Sequence, residues 1–282
     1  MSGRVRPLAR VAVAVLVGAA IALGAAFALG AAPGAGADGD AATQGSRDAR
    51  EAGAGDGVDL PPPVEPAFVP GKPVLLRKSP HESQWAVVRR AVRPRVEPSD
   101  AARALPLLPT RTPEGTSNIV HVRDRTVDAV GDVWVRVRFP ALGKPDSGWV
   151  RREALGGYGV VRTRLVVDLD SLTATLLRDG RAVFDAPVGV GRASFPTPRG
   201  EFYVRNRLTG YVSPAYGPIA FGTSARSRTL TEWPAGGFVG IHGTDRPDLL
   251  PGYVSHGCIR LRNDDILKLA RLMPVGTPVT VR

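Results

Sequence analysis

Tyr253-Val254-Ser255-His256-Gly257-Cys258-Ile259-Arg260-Leu261-Arg262-Asn263-Asp264-Asp265 holds the only cysteine in 282 residues, directly after a glycine and two residues after a histidine. A thiol becomes a nucleophile when a nearby imidazole takes its proton. A glycine on its N-terminal side lets the backbone turn sharply enough to aim N–H groups at a developing oxyanion. A second histidine, in Gly240-Ile241-His242-Gly243-Thr244, lies 16 residues upstream of Cys258, far enough for a loop to bring it back. The competing reading makes Cys258 a small buried hydrophobe and His256 a loop residue. Against it, two of the chain's four histidines fall in these two glycine-flanked motifs.

His242-Gly243-Thr244, Ser255-His256-Gly257-Cys258-Ile259-Arg260 and Asn263-Asp264-Asp265, in this order and at this spacing, resemble the signature of the bacterial L,D-transpeptidases with a YkuD-type catalytic domain. The resemblance covers residues 162–282. It includes Pro196-Thr197-Pro198-Arg199-Gly200-Glu201-Phe202, which in that family forms a turn beside the cleft, and the closing Val275-Gly276-Thr277-Pro278-Val279 strand. It implies a peptidoglycan enzyme of cell-wall biogenesis and cell shape, with no cofactor. Cys258 is then the nucleophile, His242 the base, and stem peptides serve as acyl donor and acceptor. The product is a 3→3 crosslink when an amine accepts the acyl group; water as acceptor makes the enzyme an L,D-carboxypeptidase, and a decayed site leaves a wall-binding protein. The family's reactivity with carbapenems is implied as well.

Around that pair, Ser255 reads as a hydrogen-bonding prop and His256 as a supporting residue that orients the loop or donates to substrate. The backbone N–H groups of Gly257 and Cys258 are the expected oxyanion hole. Arg260 carries a charge suited to a substrate carboxylate, or else to an ion pair that holds the loop. Gly243 and Thr244 are expected beside the substrate. A single thiol excludes an intramolecular disulfide and argues against a structural zinc site, so no metal is expected.

Composition sets the fold class. The chain is 43% hydrophobic with only 6% aromatic residues, and 33 glycines and 26 prolines favour turns and short strands over long helices. A mainly β protein is expected; the family resemblance implies a C-terminal YkuD-type β-sandwich or barrel at 158–282 with one helix after the cysteine, preceded by a small β domain at 68–156. The net charge of +11 is spread along the chain instead of gathering with aromatics, which argues against a nucleic-acid groove. It suits an anionic envelope, or reflects an arginine-rich genome.

Arg4, Arg6 and Arg10 precede an apolar run from Val11 to Ala32, with small residues at Ala35-Gly36-Ala37. Residues 1–37 therefore read as a cleaved signal peptide or an uncleaved anchor, the only membrane contact expected, and the remainder as extracytoplasmic. Residues 38–67, poor in large apolar side chains, read as a disordered linker stiffened at Pro61-Pro62-Pro63.

Within 68–156, Val133-Trp134-Val135-Arg136-Val137-Arg138-Phe139 alternates with period two, the pattern of a half-buried strand. The Trp strand, turn and Gly148-Trp149-Val150 order resembles bacterial SH3-type barrels over residues 107–155. Trp134 and Trp149 read as core, and His81 and His121 as surface or strand histidines. Farther on, Asp179-Gly180 predicts a hairpin turn. Gly222 to Gly237 reads as a mobile or ordinary surface loop. Asn263 is the expected helix N-cap, with Ile266, Leu269, Ala270 and Met273 on one face and Pro274 as the stop.

Overall fold

The computed structural model describes residues 71–210, 213–227, 229 and 237–282; the segments expected as signal or anchor and as linker lie outside them. Pro63–Arg282 forms one compact unit built on two sheets. The protein is mainly β, with a single α-helix among the described residues.

The first sheet contains β1 (Val74–Leu75), β2 (Ser83–Val88), β3 (Ile119–Val127), β4 (Val133–Arg138), β5 (Ser147–Arg151) and β6 (Leu155–Val161). Its order is β5-β4-β3-β2-β6, with β1 paired to β3, and every pairing is antiparallel. The alternation read in β4 buries Val135 and Val137 against Ala86, Val120 and Val150, while Trp134, buried on the other face, donates to Asp128 Oδ2 and lies under the Arg151 guanidinium. The sheet runs on to Val161, beyond the boundary expected at 156, because Gly159 accepts the Trp85 ring. A Cβ there would stand 2.4 Å from Trp85 Cε2.

The second sheet contains β7 (Thr163–Asp168), β8 (Thr173–Arg178), β9 (Arg181–Pro187), β10 (Gly189–Gly191), β11 (Gly200–Thr209), β12 (Ile219–Arg226), β13 (Phe238–His242), β14 (Gly252–Ser255) and β15 (Ile259–Arg260). It is completed by β16 (Pro278–Val281), which follows helix α1 (Asn263–Leu272). The order is β14-β10-β15-β13-β12-β11-β16-β7-β8-β9. Asp179 and Gly180, with φ of 50° and 80°, close the β8–β9 hairpin as a two-residue turn of the kind that matches strand twist. Ile266, Leu269, Ala270 and Met273 press onto Leu165, Phe221, Ile241 and Ile259 to make one continuous core.

Two expectations are corrected. Gly222–Arg226 is not loop but the buried end of β12; the side chains there alternate poorly because both faces are covered. The remainder of that expected loop, 228 and 230–236, lies outside the described residues. Arg262 occupies the helix N-cap position, and Asn263 is the first helical residue, its side chain turned to a tertiary partner. His121 lies on β3, as one reading allowed, but its ring is stacked on Tyr203 of β11 at 4.4 Å and 17°. Its Nε2 also lies 2.7 Å from Gly276 O. The two sheets meet at this seam.

Candidate active site

β13 sits between β12, antiparallel to it, and β15, parallel to it, with His242 opposite Arg260 and Ile241 opposite Ile259. Cys258 immediately precedes β15. Its register falls two residues short of His242's partner, about 7 Å along the strand direction. The Gly240 N–H donates to Cys258 Sγ at 3.4 Å, and the sulfur is buried among Val239, Ala225 and Phe202. Such a donor binds a thiolate more strongly than a thiol.

The turn that presents the sulfur is locked from both sides. Ser255 Oγ accepts the Gly257 N–H at 3.0 Å and donates to Cys258 O at 2.6 Å. Thr197 Oγ1 accepts the Gly191 N–H and donates to Gly257 O at 2.9 Å, tying the Pro-Thr-Pro turn to the thiol loop. Gly257 has φ of +116°, a conformation that L side chains rarely adopt.

His242 is 2% exposed. Its Nδ1 lies 2.6 Å from Gly243 O, a carbonyl that can only accept, so Nδ1 carries the hydrogen and Nε2 keeps its lone pair. Burial, assisted by the Arg260 charge, pushes its pKa down to about 4 against the Gly243 bond, so the ring is neutral near pH 7. The Tyr216 ring leans on it at 4.8 Å. Gly243 leaves room for the Asn263 side chain and the Gly217 backbone: a Cβ there would lie 2.2 Å from Asn263 Oδ1 and 3.0 Å from Gly217 Cα. Asn263 Oδ1 accepts the Thr244 N–H at 3.0 Å.

The residues read from the sequence thus gather around two strand ends. Thr244 is buried and its hydroxyl accepts the Arg246 N–H, and the Gly243 carbonyl accepts from His242 Nδ1, so both brace the His242 loop. The Gly257 N–H, expected in the oxyanion hole, is held by Ser255. His256 is half-buried, edge-on to Phe195, with Nε2 bonded to the Arg192 guanidinium. Arg260 forms no ion pair among the described residues, and its Nε is buried without a hydrogen bond. Tyr216 and Arg192 carried no sequence signal, because their partners are remote in the chain; Thr197 and Asn263 lay inside quoted motifs, but their contacts did not.

Residues 162–281 match the family model of the L,D-transpeptidase catalytic domain, YkuD. This segment is a YkuD-type catalytic domain. A curated relative from Bacillus licheniformis that bears the name L,D-transpeptidase YkuD is 36% identical over 118 residues, 42% of this chain and 64% of its own. Its counterpart from Bacillus subtilis is 35% identical over 117 residues, with the same coverage. The chain therefore spans a little under two thirds of the length of these relatives. Among solved structures, the catalytic domain of the Enterococcus faecium L,D-transpeptidase aligns at 27% identity over 43% of this chain and 96% of its own, with a TM-score of 0.32. The YkuD-type segment begins at Arg162, where the first sheet has just ended.

Proposed function

We propose that the protein is a peptidoglycan L,D-transpeptidase that works through a Cys258 thioester and joins stem peptides by 3→3 crosslinks. The observation that supports this most is the buried neutral His242, with Nε2 unprotonated, on the strand beside the one that Cys258 opens. Nε2 of His242 takes the thiol proton, and the sulfur attacks the carbonyl carbon at the L-centre of the donor's L,D bond. The tetrahedral oxyanion is held by backbone N–H groups of the thiol turn; Gly257 joins only when it releases Ser255. The C–N bond breaks, the leaving D-amino acid takes the proton from His242, and the thioester remains. An acceptor amine then attacks, gives its proton to His242, and the thiolate departs. Arg260, with no carboxylate partner among the described residues, meets the charge of the donor peptide. The site of action is outside the cytoplasm, a reading supported by the arginine-led apolar segment at 1–37.

The test is intact-mass spectrometry of the full-length chain with the carbapenem imipenem, beside Cys258→Ala. One covalent adduct per chain, absent from the variant, is expected, followed by dimeric muropeptides from isolated disaccharide-tetrapeptides. An unmodified native protein that keeps its β-rich circular dichroism overturns the acyl-enzyme reading; release of D-amino acid without dimers turns it into a carboxypeptidase.

A further inference from the structure

A second cleft lies where the proline-rich loops of the first sheet face β12 and β13. Its volume is about 520 Å³, within the usual range of small-ligand sites. Its walls include Leu105, Leu108, Phe139 and Phe238, with prolines at 106, 109 and 140. Among the described residues, five cations line it, Arg103, Arg111, Lys144, Arg205 and Arg226, and no carboxylate does.

The fold answers most of these charges. Arg205 is paired with Glu114 at 2.9 Å, Lys144 with Asp146 at 2.7 Å, and Arg111 donates to Gly115 O. Arg226 is different. Its guanidinium lies over the Phe238 ring at 4.7 Å, on a ring that also carries Arg205 at 3.8 Å, and no hydrogen bond or ion pair reaches it from the described residues. Two guanidinium groups thus share one aromatic ring while, among the described residues, only Arg205 has an anion. A partly buried cation without an acceptor is unfavourable unless something supplies one. Arg103, on the exposed rim, likewise has no ion pair among the described residues.

We propose that this cleft binds the free C-terminal carboxylate of a short, apolar peptide, with Arg226 and Arg103 as its counter-charges. A guanidinium presents paired donors that match a carboxylate. Walls of leucine, phenylalanine and proline take methyl-bearing side chains and offer little to a hydrophilic polyol phosphate. The cleft's lining includes neither Cys258 nor His242: along β13, Phe238 stands about 13 Å from His242 and about 7 Å from Gly240, whose N–H donates to Cys258 Sγ. The transpeptidase reading adds only what the peptide is, a wall stem peptide held by its far end while another reacts at Cys258. That last step rests on the reading above; the binding itself does not.

The experiment measures binding of tri-alanine, as the free acid and as the C-terminal amide, to the full-length chain carrying Cys258→Ser, which cannot turn over peptide. Isothermal titration follows the native background, Arg226→Gln, Arg103→Gln and Arg260→Gln. The acid is expected to bind and the amide to bind at least about tenfold more weakly, the scale of one charge-assisted contact. Arg226→Gln weakens the acid by the same factor, Arg103→Gln by a smaller one, and Arg260→Gln leaves it unchanged. Arg103 is exposed, so its variant reads the cleft without risk to folding. No binding of the acid, equal binding of acid and amide, or loss on Arg260→Gln alone each overturns the proposal. Tighter binding of inorganic phosphate, with displacement of the peptide, overturns the ligand class. Because imipenem acylation is not used, failure here is distinct from failure of the acyl-enzyme reading.

Discussion

Glu114, at the tip of the loop that precedes β3, reaches across to Arg205 of β11 at 2.9 Å, and both side chains are at least 95% buried. Arg205 also donates to Thr223 O and covers Phe238, where β13 begins, so the first sheet holds the strand that ends in His242. Removing one member of a buried pair leaves an uncompensated charge. Glu114→Ala is expected to lower stability by about 3–5 kcal/mol in urea denaturation, and Glu114→Gln by less, since an amide oxygen still accepts from Arg205. A Glu114→Ala midpoint equal to the native one would show that the pair holds nothing.

His242 and His256 are the two candidates for the base, and their surroundings differ. His242 offers a buried lone pair, whereas His256 Nε2 is engaged by Arg192. His242→Gln is expected to slow imipenem acylation about 10²- to 10⁴-fold, the usual size of general-base assistance. His256→Ala slows it far less. Stopped-flow fluorescence on both variants decides; the reverse order would exchange the two roles.

Acid stability follows from two histidines. Burial pushes both His242 and His121 down to about 4, from an ordinary value of 6.5. The unfolded chain therefore binds protons first as pH falls. Stability is complete above about pH 6.5 and is lost as pH drops toward 4, by up to about 3 kcal/mol for the fully buried His242 at about 1.4 kcal/mol per unit. Thermal melts at pH 7, 5.5 and 4.5 should show this decline, and His121→Gln should make it shallower. A melting temperature flat from pH 7 to 4.5 would contradict the buried neutral state.

Ser255 clasps both sides of the thiol turn, so Ser255→Ala leaves a buried N–H and a buried carbonyl unsatisfied. A cost of about 1–3 kcal/mol is expected, with slower acylation because Cys258 loses its fixed presentation. Gly243→Ala is expected to be worse, since its Cβ would meet Asn263 Oδ1 and the Gly217 backbone. Calorimetric melts of the two variants compare them directly; a Gly243→Ala protein as stable as the native one would mean that the His242 loop has room to shift.

The sequence by itself determined the class of strands, the hairpin at Asp179-Gly180, the buried face of α1 and the presence of a histidine pair around one thiol. Each of these is local: period-two alternation, a positive-φ turn pair, a 3.6-residue stripe, two glycine-flanked motifs. Tertiary structure alone decided which polar groups meet. Thr197 finds Gly257 across 60 residues, Asn263 finds Thr244 across 19, and Glu114 finds Arg205 across 91. Asn263 reads as an N-cap because that is its best local use; a buried Thr244 N–H with no other acceptor claims it instead. Gly222–Arg226 reads as loop because it is polar, yet Thr223 and Ser224 find backbone partners at Val239 and Tyr203 and can be buried as strand. A hydrogen bond between distant segments leaves no periodicity in the chain, and so the bracing of His242 and Cys258 became visible only when the sheet brought its strands together.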